Sequence, residues 1–126
     1  MLIFLHFSII LIRFKEINKK PFSQKVFDNI FLNIEYHLRE EGQGDVTVNK
    51  NMKRLNKIFY DILLKIKKVN KSKFEINHSI LCNHLSLNND EKAKLLKIDA
   101  YLCSFYKFCF ELNEESMLKG RINFNY

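Results

Sequence analysis

The sequence predicts an all-α fold, a single-domain helical bundle of about five helices. Three observations carry that expectation. Only three Gly and one Pro occur among the 126 residues, whereas an all-β domain needs a turn signal about every 8–12 residues. Apolar side chains recur at three- and four-residue steps through several long stretches, the period of one helical face. Turn-forming residues collect at a few places, so the segments between them are long. With 47% apolar and 28% charged residues, the composition is ordinary for a globular chain and unlike a disordered or fibrous one. The length fits one domain over residues 1–126 with one hydrophobic core.

The first helix is expected over about Leu2 to Glu16. Met1 to Ile12 is apolar apart from His6 and Ser8, and Arg13, Lys15 and Glu16 follow. Twelve helical residues span about 18 Å, too little for a bilayer core of roughly 30 Å. A secretory signal has cations before its apolar run and small residues after it; here the cations follow. The segment therefore reads as a buried core helix, with an interfacial membrane helix as the alternative. Pro21 ends it, because proline disfavours a helical residue before it, and Ser23 is placed to cap the next helix.

The second helix, about Ser23 to Glu41, carries Val26, Phe27, Ile30, Phe31, Ile34 and Leu38 as one stripe. Gly42 follows where a left-handed C-terminal cap is easy. After Gly42-Gln43-Gly44-Asp45, the third helix repeats Met52, Leu55, Phe59, Ile62, Ile66 and Val69 in steps of three and four, a heptad-like seam. Asn70-Lys71-Ser72 separates it from a shorter fourth helix, about Lys73 to Leu85, with Phe74, Ile80, Leu81 and Leu85. Asn88-Asn89-Asp90 breaks that and caps a fifth, about Glu91 to Leu112, apolar around much of its circumference and so expected at the centre of the bundle. The tail from Ser116 to Tyr126 adds one turn before an extended end.

The formal charge is +7, and its distribution says more than its size. Lys50 to Lys73 contains nine cations against one anion, Asp61, whereas the rest of the chain is nearly neutral. Lys50, Lys53, Arg54 and Lys57 fall on one face of the third helix, continued less regularly by Lys65 and Lys68. Such a face suits an anionic partner, although a charge run is also the ordinary dress of a solvated helix.

Cys82, Cys103 and Cys109 are odd in number and lack CxxC spacing. They provide neither a disulfide framework nor a zinc site, and they suit a reducing compartment. His78 and His84, six apart, point from different faces of a helix and do not form a metal pair. No phosphate-cradling glycine loop or nucleophile motif occurs, and Glu40 and Glu41 lie side by side rather than converging. The sequence therefore predicts no catalytic residue, cofactor or metal, and no small-molecule substrate.

Taken in order, several segments resemble the ubiquinol-cytochrome c chaperone family. Leu5-His6, the apolar residues through Leu11 and then Arg13-Phe14-Lys15 look like the family's opening helix. Phe27-Asp28 begins the next, and Leu38-Arg39-Glu40-Glu41-Gly42-Gln43-Gly44-Asp45 is similar to its most distinctive segment. Lys50, Lys53 and Arg54, then Phe59-Tyr60, follow at the expected separations. Met117-Leu118-Lys119-Gly120-Arg121-Ile122-Asn123-Phe124 is similar to its closing pattern. Family members usually carry a further segment before the apolar helix, whereas Met1 here stands almost at the helix start, so against the family either the true start lies upstream or the domain lacks that segment.

The resemblance implies a non-enzymatic assembly chaperone that holds newly made cytochrome b during biogenesis of ubiquinol-cytochrome c reductase. It also implies a cytoplasmic protein, or one peripheral on the inner membrane, on the matrix side in a mitochondrion, working beside the ribosome with a small partner protein. The competing expectation is a basic helical module that binds RNA or the ribosome through the same stripe. The candidate client- or partner-binding residues are Arg39, Gly42, Gly44, Asp45, Lys50, Lys53, Arg54, Lys57 and Tyr60. For the four cations the partner is an anionic membrane surface, ribosomal RNA or acidic client loops. Arg39 and Asp45 flank the glycine turn and are expected to pair across it, fixing the angle between two helices. Gly42 and Gly44 suit backbone shapes closed to other residues, or the close approach of a partner. Tyr60 either places its hydroxyl at the rim with its ring buried or packs in the core.

Overall fold

Helix-period stripes this long bury their apolar sides only by packing on one another, and the chain does so. The computed structural model of the protein describes residues 2–18, 24–67, 78–85 and 91–126. Among these residues there are six helices and no strand: α1 (Leu2–Asn18), α2 (Gln24–Glu40), α3 (Asp45–Lys67), α4 (His78–Leu85), α5 (Lys92–Glu111) and α6 (Glu114–Leu118). The all-α expectation holds, and the turn expected near the tail is the five-residue α6, after which residues 121–126 are not helical. The expected cap at Ser23, the stop at Pro21, the seam residue Val69, and Asn70-Lys71-Ser72, Phe74, Lys68 and Asn88-Asn89-Asp90 lie outside the described residues.

The hub is made by α1 and α3. α1 packs on both α3 and α5, α2 packs on α3, and α3 also meets α4. Phe4, Leu5, Phe7 and Ile9 of α1 are buried, so the amino-terminal run is a core helix in this fold. Its two polar interruptions are both satisfied. The Ser8 hydroxyl donates to the Phe4 carbonyl at 2.7 Å, and the His6 ring bridges the Leu2 carbonyl at 2.8 Å and the Tyr101 hydroxyl at 2.9 Å. No described helix is long and apolar enough to cross a membrane.

An aromatic cluster joins α1, α2 and α3. Phe59 lies 5.5 Å from Phe4, 5.5 Å from Phe7, 5.5 Å from Phe27 and 5.8 Å from Phe31, ring centre to ring centre. These are edge-to-face, offset and tilted arrangements of the kind aromatic quadrupoles favour. Ile62 and Ile66 continue the buried seam of α3 as the spacing predicts, and Val48 extends it backward by a turn.

α5 departs from expectation. It buries Leu95, Leu102, Phe105 and Cys109 along one side and leaves Leu96 and Ala100 exposed, so it flanks the bundle rather than occupying its centre. The reason is geometric: the fully buried residues form a single three-and-four stripe, and that stripe faces α1. The tail then folds back on it, with Phe124 at 5.7 Å from Tyr101, 5.3 Å from Phe105 and 5.2 Å from Phe108.

Both ends of α6 are capped. At α6, Gly120 takes a φ of 67°, its amide donates to the Met117 carbonyl and the Arg121 amide donates to the Ser116 carbonyl. That pair of bonds around a left-handed glycine is a Schellman cap. At the start of α6 the Asn113 side chain accepts from the Ser116 amide at 2.7 Å, satisfying one of the amides a helix leaves without an internal partner.

Candidate functional site

The candidate residues all lie on one antiparallel unit, the hairpin of α2 and α3. Its turn is a second Schellman cap: Gly42 has a φ of 83°, its amide donates to the Arg39 carbonyl at 2.9 Å, and the Gln43 amide donates to the Leu38 carbonyl at 3.3 Å. The left-handed cap expected at Gly42 is therefore present. Gly44 differs from expectation, because its φ is not in the left-handed region. Its role is at the other end of the turn, where its carbonyl accepts from the Val48 amide at 2.9 Å and opens α3. A helix start asks for ordinary extended backbone, so the conformational freedom of glycine is used only at Gly42.

Arg39 closes the turn from outside. Its guanidinium pairs with Asp45 across the two glycines and with Glu35 one turn back at 2.9 Å. Both contacts are solvent-facing, and the Asp45 hydrogen bond, then that of Glu35, holds the Arg39 pKa above its ordinary value. Asn51 adds an inner tie, donating to the Gln43 side chain at 2.8 Å. The expected pairing of Arg39 with Asp45 is thus observed, and it joins the last turn of α2 to the first residue of α3.

From this anchor α3 projects for 23 residues, about 34 Å of helix. Val48, Phe59, Ile62 and Ile66 turn inward. On the opposite side, by the 100° step of the helix, stand Lys50, Lys53, Arg54 and Lys57, all exposed. Among the described residues none of the four is in an ion pair. The expected continuation is different in kind: Lys65 is bound to Asp61 at 2.9 Å and does not join the unpaired set.

Asp61 also accepts from His84 of α4, whose ring nitrogen lies 3.0 Å away. Lys65 first and His84 second hold the Asp61 carboxyl below the usual carboxylate range. This clasp ties α3 to α4 and removes the one acid on α3's outer half from the exposed cations. His84 is thereby given a structural partner that its spacing from His78 does not reveal.

Tyr60 is 53% exposed, which rules out the core position. Its ring lies 5.8 Å from Phe59 and 6.2 Å from Phe27, so it caps the aromatic cluster from outside. Two further residues share this face and were not among the candidates: Val46, 84% exposed, and Leu64, 60% exposed. Their signal was present in the sequence. Val46, Lys50, Lys53, Lys57, Tyr60 and Leu64 follow one another at four-, three-, four-, three- and four-residue steps, a second stripe running opposite the seam. On α2, Leu32 and Tyr36 are also exposed, and Tyr36 lines a shallow open hollow with Asn33, His37, Arg39 and Glu40.

Among the described residues no three His, Cys, Asp or Glu side chains converge as a metal site would require. Cys109 is buried, and burial pushes its thiol up to about 11, far from the thiolate a nucleophile needs.

Compared with known proteins, residues 1–124 match the model of the family described as Ubiquinol-cytochrome C chaperone. No curated protein and no solved structure matches the chain.

Proposed function

This chain belongs to the ubiquinol-cytochrome C chaperone family, and on that premise we propose that it is a non-enzymatic chaperone of respiratory complex assembly whose client is newly made cytochrome b. The observation that carries the reading, beside the family, is the outer face of α3: four exposed cations with no ion pair among the described residues, flanked by exposed Val46, Tyr60 and Leu64. A client destined for a bilayer is apolar along its spans and charged in its loops. A surface offering both kinds of contact holds such a chain without folding it.

The hairpin supports this role mechanically. Gly42, Gly44, Arg39 and Asp45 set the angle at which α3 leaves α2, and Lys50, Lys53, Arg54, Lys57 and Tyr60 are the groups so presented. The working location consistent with that client is the cytoplasm or the inner-membrane surface, on the matrix side in a mitochondrion. The direct experiment is purification of the tagged protein from its native cells. Cytochrome b is expected to accompany it, and its absence from a preparation containing intact protein would count against the client assignment.

A second reading has one observation in its favour. Unpaired exposed cations on a helix are also what a phosphate backbone attracts, so an RNA- or ribosome-associated module would use the same four residues. Salt separates the two. Phosphate contacts weaken steeply as salt rises, whereas a client held partly through Tyr60 and Leu64 stays bound.

A further inference from the structure

We propose that the outer face of α2 is where two copies of this chain meet, as an antiparallel helix pair related by a twofold axis. α2 turns Phe27, Ile30, Phe31 and Ile34 toward the core, and by the 100° step of the helix Lys25, Asn29, Leu32, Tyr36 and Glu40 line the opposite side. All five are exposed. Their steps of three and four residues make one continuous seam about 24 Å long, with Leu32 and Tyr36 as its apolar centre. The inference goes beyond the chaperone reading, because the face given to the client is on the far side of α3 and stays open in both copies.

Charge commits the seam to a second copy. Lys25 stands at one end and Glu40 at the other. Among the described residues Lys25 is in no ion pair, and Glu40 reaches only the exposed His37 at 3.4 Å. Turning the helix end over end about a point between residues 32 and 33 sets Lys25 against the partner's Glu40, Asn29 against the partner's Tyr36, and Leu32 beside the partner's Leu32. A twofold axis makes each of these contacts twice. A parallel pair would instead bring Lys25 to the partner's Lys25 and Glu40 to the partner's Glu40, so repulsion selects the antiparallel form. Where the partner's Lys25 arrives, Tyr36 and Glu40 already line an open hollow, an aromatic face and a carboxylate suited to an ammonium group. The seam is too balanced in charge to draw a phosphate backbone or a lipid surface. The contact is self-complementary and closes, so it yields a dimer and not a filament.

One helix face is small. It buries less than the roughly 800 Å² per partner of a stable interface, so self-association with a Kd on the order of 100 µM is expected. The test is sedimentation equilibrium of the whole protein at concentrations from about 5 µM to about 1 mM, which bracket that value. The weight-average mass is expected to rise from 15.2 kDa toward twice that figure. Leu32→Asp sets like charges across the axis and is expected to hold the protein at the lower mass throughout. Lys25→Glu and Glu40→Lys are each expected to weaken the dimer about tenfold, because each reversal turns two attractions into repulsions. Mixed in equal amounts, these two variants are expected to pair with each other as tightly as the parent protein pairs with itself, since every facing charge is again opposite.

Helix content measured by circular dichroism keeps these variants comparable, because all three positions are exposed. A mass that stays at 15.2 kDa to the highest concentration, self-association that Leu32→Asp leaves unchanged, or a mixture of the two reversals no heavier than either alone would each overturn the proposal. A different protein captured by a chain that stays monomeric overturns it as well. Leu32→Asp leaves α3 untouched, so cytochrome b is expected to accompany that variant as it does the parent protein. Loss of the dimer and loss of the client are thereby read apart.

Discussion

The Arg39 guanidinium reaches over Gly42 and Gly44 to the Asp45 carboxylate, so a side chain on the last turn of α2 holds the first residue of α3. Glu35 holds the same guanidinium from behind at 2.9 Å. The helix hairpin is therefore set by a covalent turn and by a three-residue ion network laid over it.

Breaking that network is expected to loosen the hairpin without unfolding the bundle. Arg39→Gln should lower stability measurably at low salt, and the loss should shrink as salt is added, because the partners are solvent-facing and screened. Asp45→Asn made in the Arg39→Gln background should add less than it costs alone. A double-mutant cycle by denaturant titration at two salt concentrations checks both expectations.

The two glycines of the turn are expected to respond oppositely. Nothing lies within 4 Å of a side chain added at Gly42, so Gly42→Ala meets no clash and bears only the cost of a left-handed backbone, about 1–2 kcal/mol. Gly44 is at ordinary φ at the head of α3, where a hydroxyl is welcome, and Gly44→Ser should be neutral or stabilising by a few tenths to about 0.5 kcal/mol. Equal losses from both would show that the turn is not held as described.

These contrasts show what periodicity can and cannot reveal. The seam of Phe59, Ile62 and Ile66 was legible because burial on one side of a helix imposes a repeat that a linear sequence displays. Arg39 and Asp45 were legible as opposite charges either side of a glycine turn, since the turn itself fixes their distance. The bond between His6 and Tyr101 joins residues 95 apart, and no local pattern encodes which helices become neighbours. For the same reason the centre of the bundle fell to α1 and α3 rather than α5, whose broad apolar surface says that it is covered somewhere but not by how much. Val46 and Leu64 stand at the ends of a stripe of cations, and a sequence does not show whether an aliphatic residue beside them is covered or exposed.

Phe59 and Tyr60 are adjacent aromatics with opposite exposure, 1% and 53%, and their truncation should separate core from surface. Phe59→Ala removes the ring shared by Phe4, Phe7, Phe27 and Phe31 and is expected to cost about 3–5 kcal/mol. That is a large part of the stability usual for one domain, so partial unfolding at physiological temperature is expected. Tyr60→Ala should cost about 1 kcal/mol or less, because its ring touches the cluster only from outside. Thermal melts of the two variants decide the matter, and similar midpoints would contradict the packing.

The clasp of α3 to α4 makes a prediction about pH. Lys65 and His84 hold the Asp61 carboxyl below its ordinary value, so the folded protein binds a proton there less readily than the unfolded chain. The resulting stability is present above the unfolded carboxylate range, near pH 4, and is lost as pH falls through the lower folded value. Asp61 is 39% exposed, and solvent screening keeps the contribution below about 1 kcal/mol. Asp61→Asn should therefore be less stable than the parent protein at neutral pH, and the gap should close as the solution is acidified through that window. A gap that stays constant with pH would mean the carboxylate charge is not what joins α3 to α4.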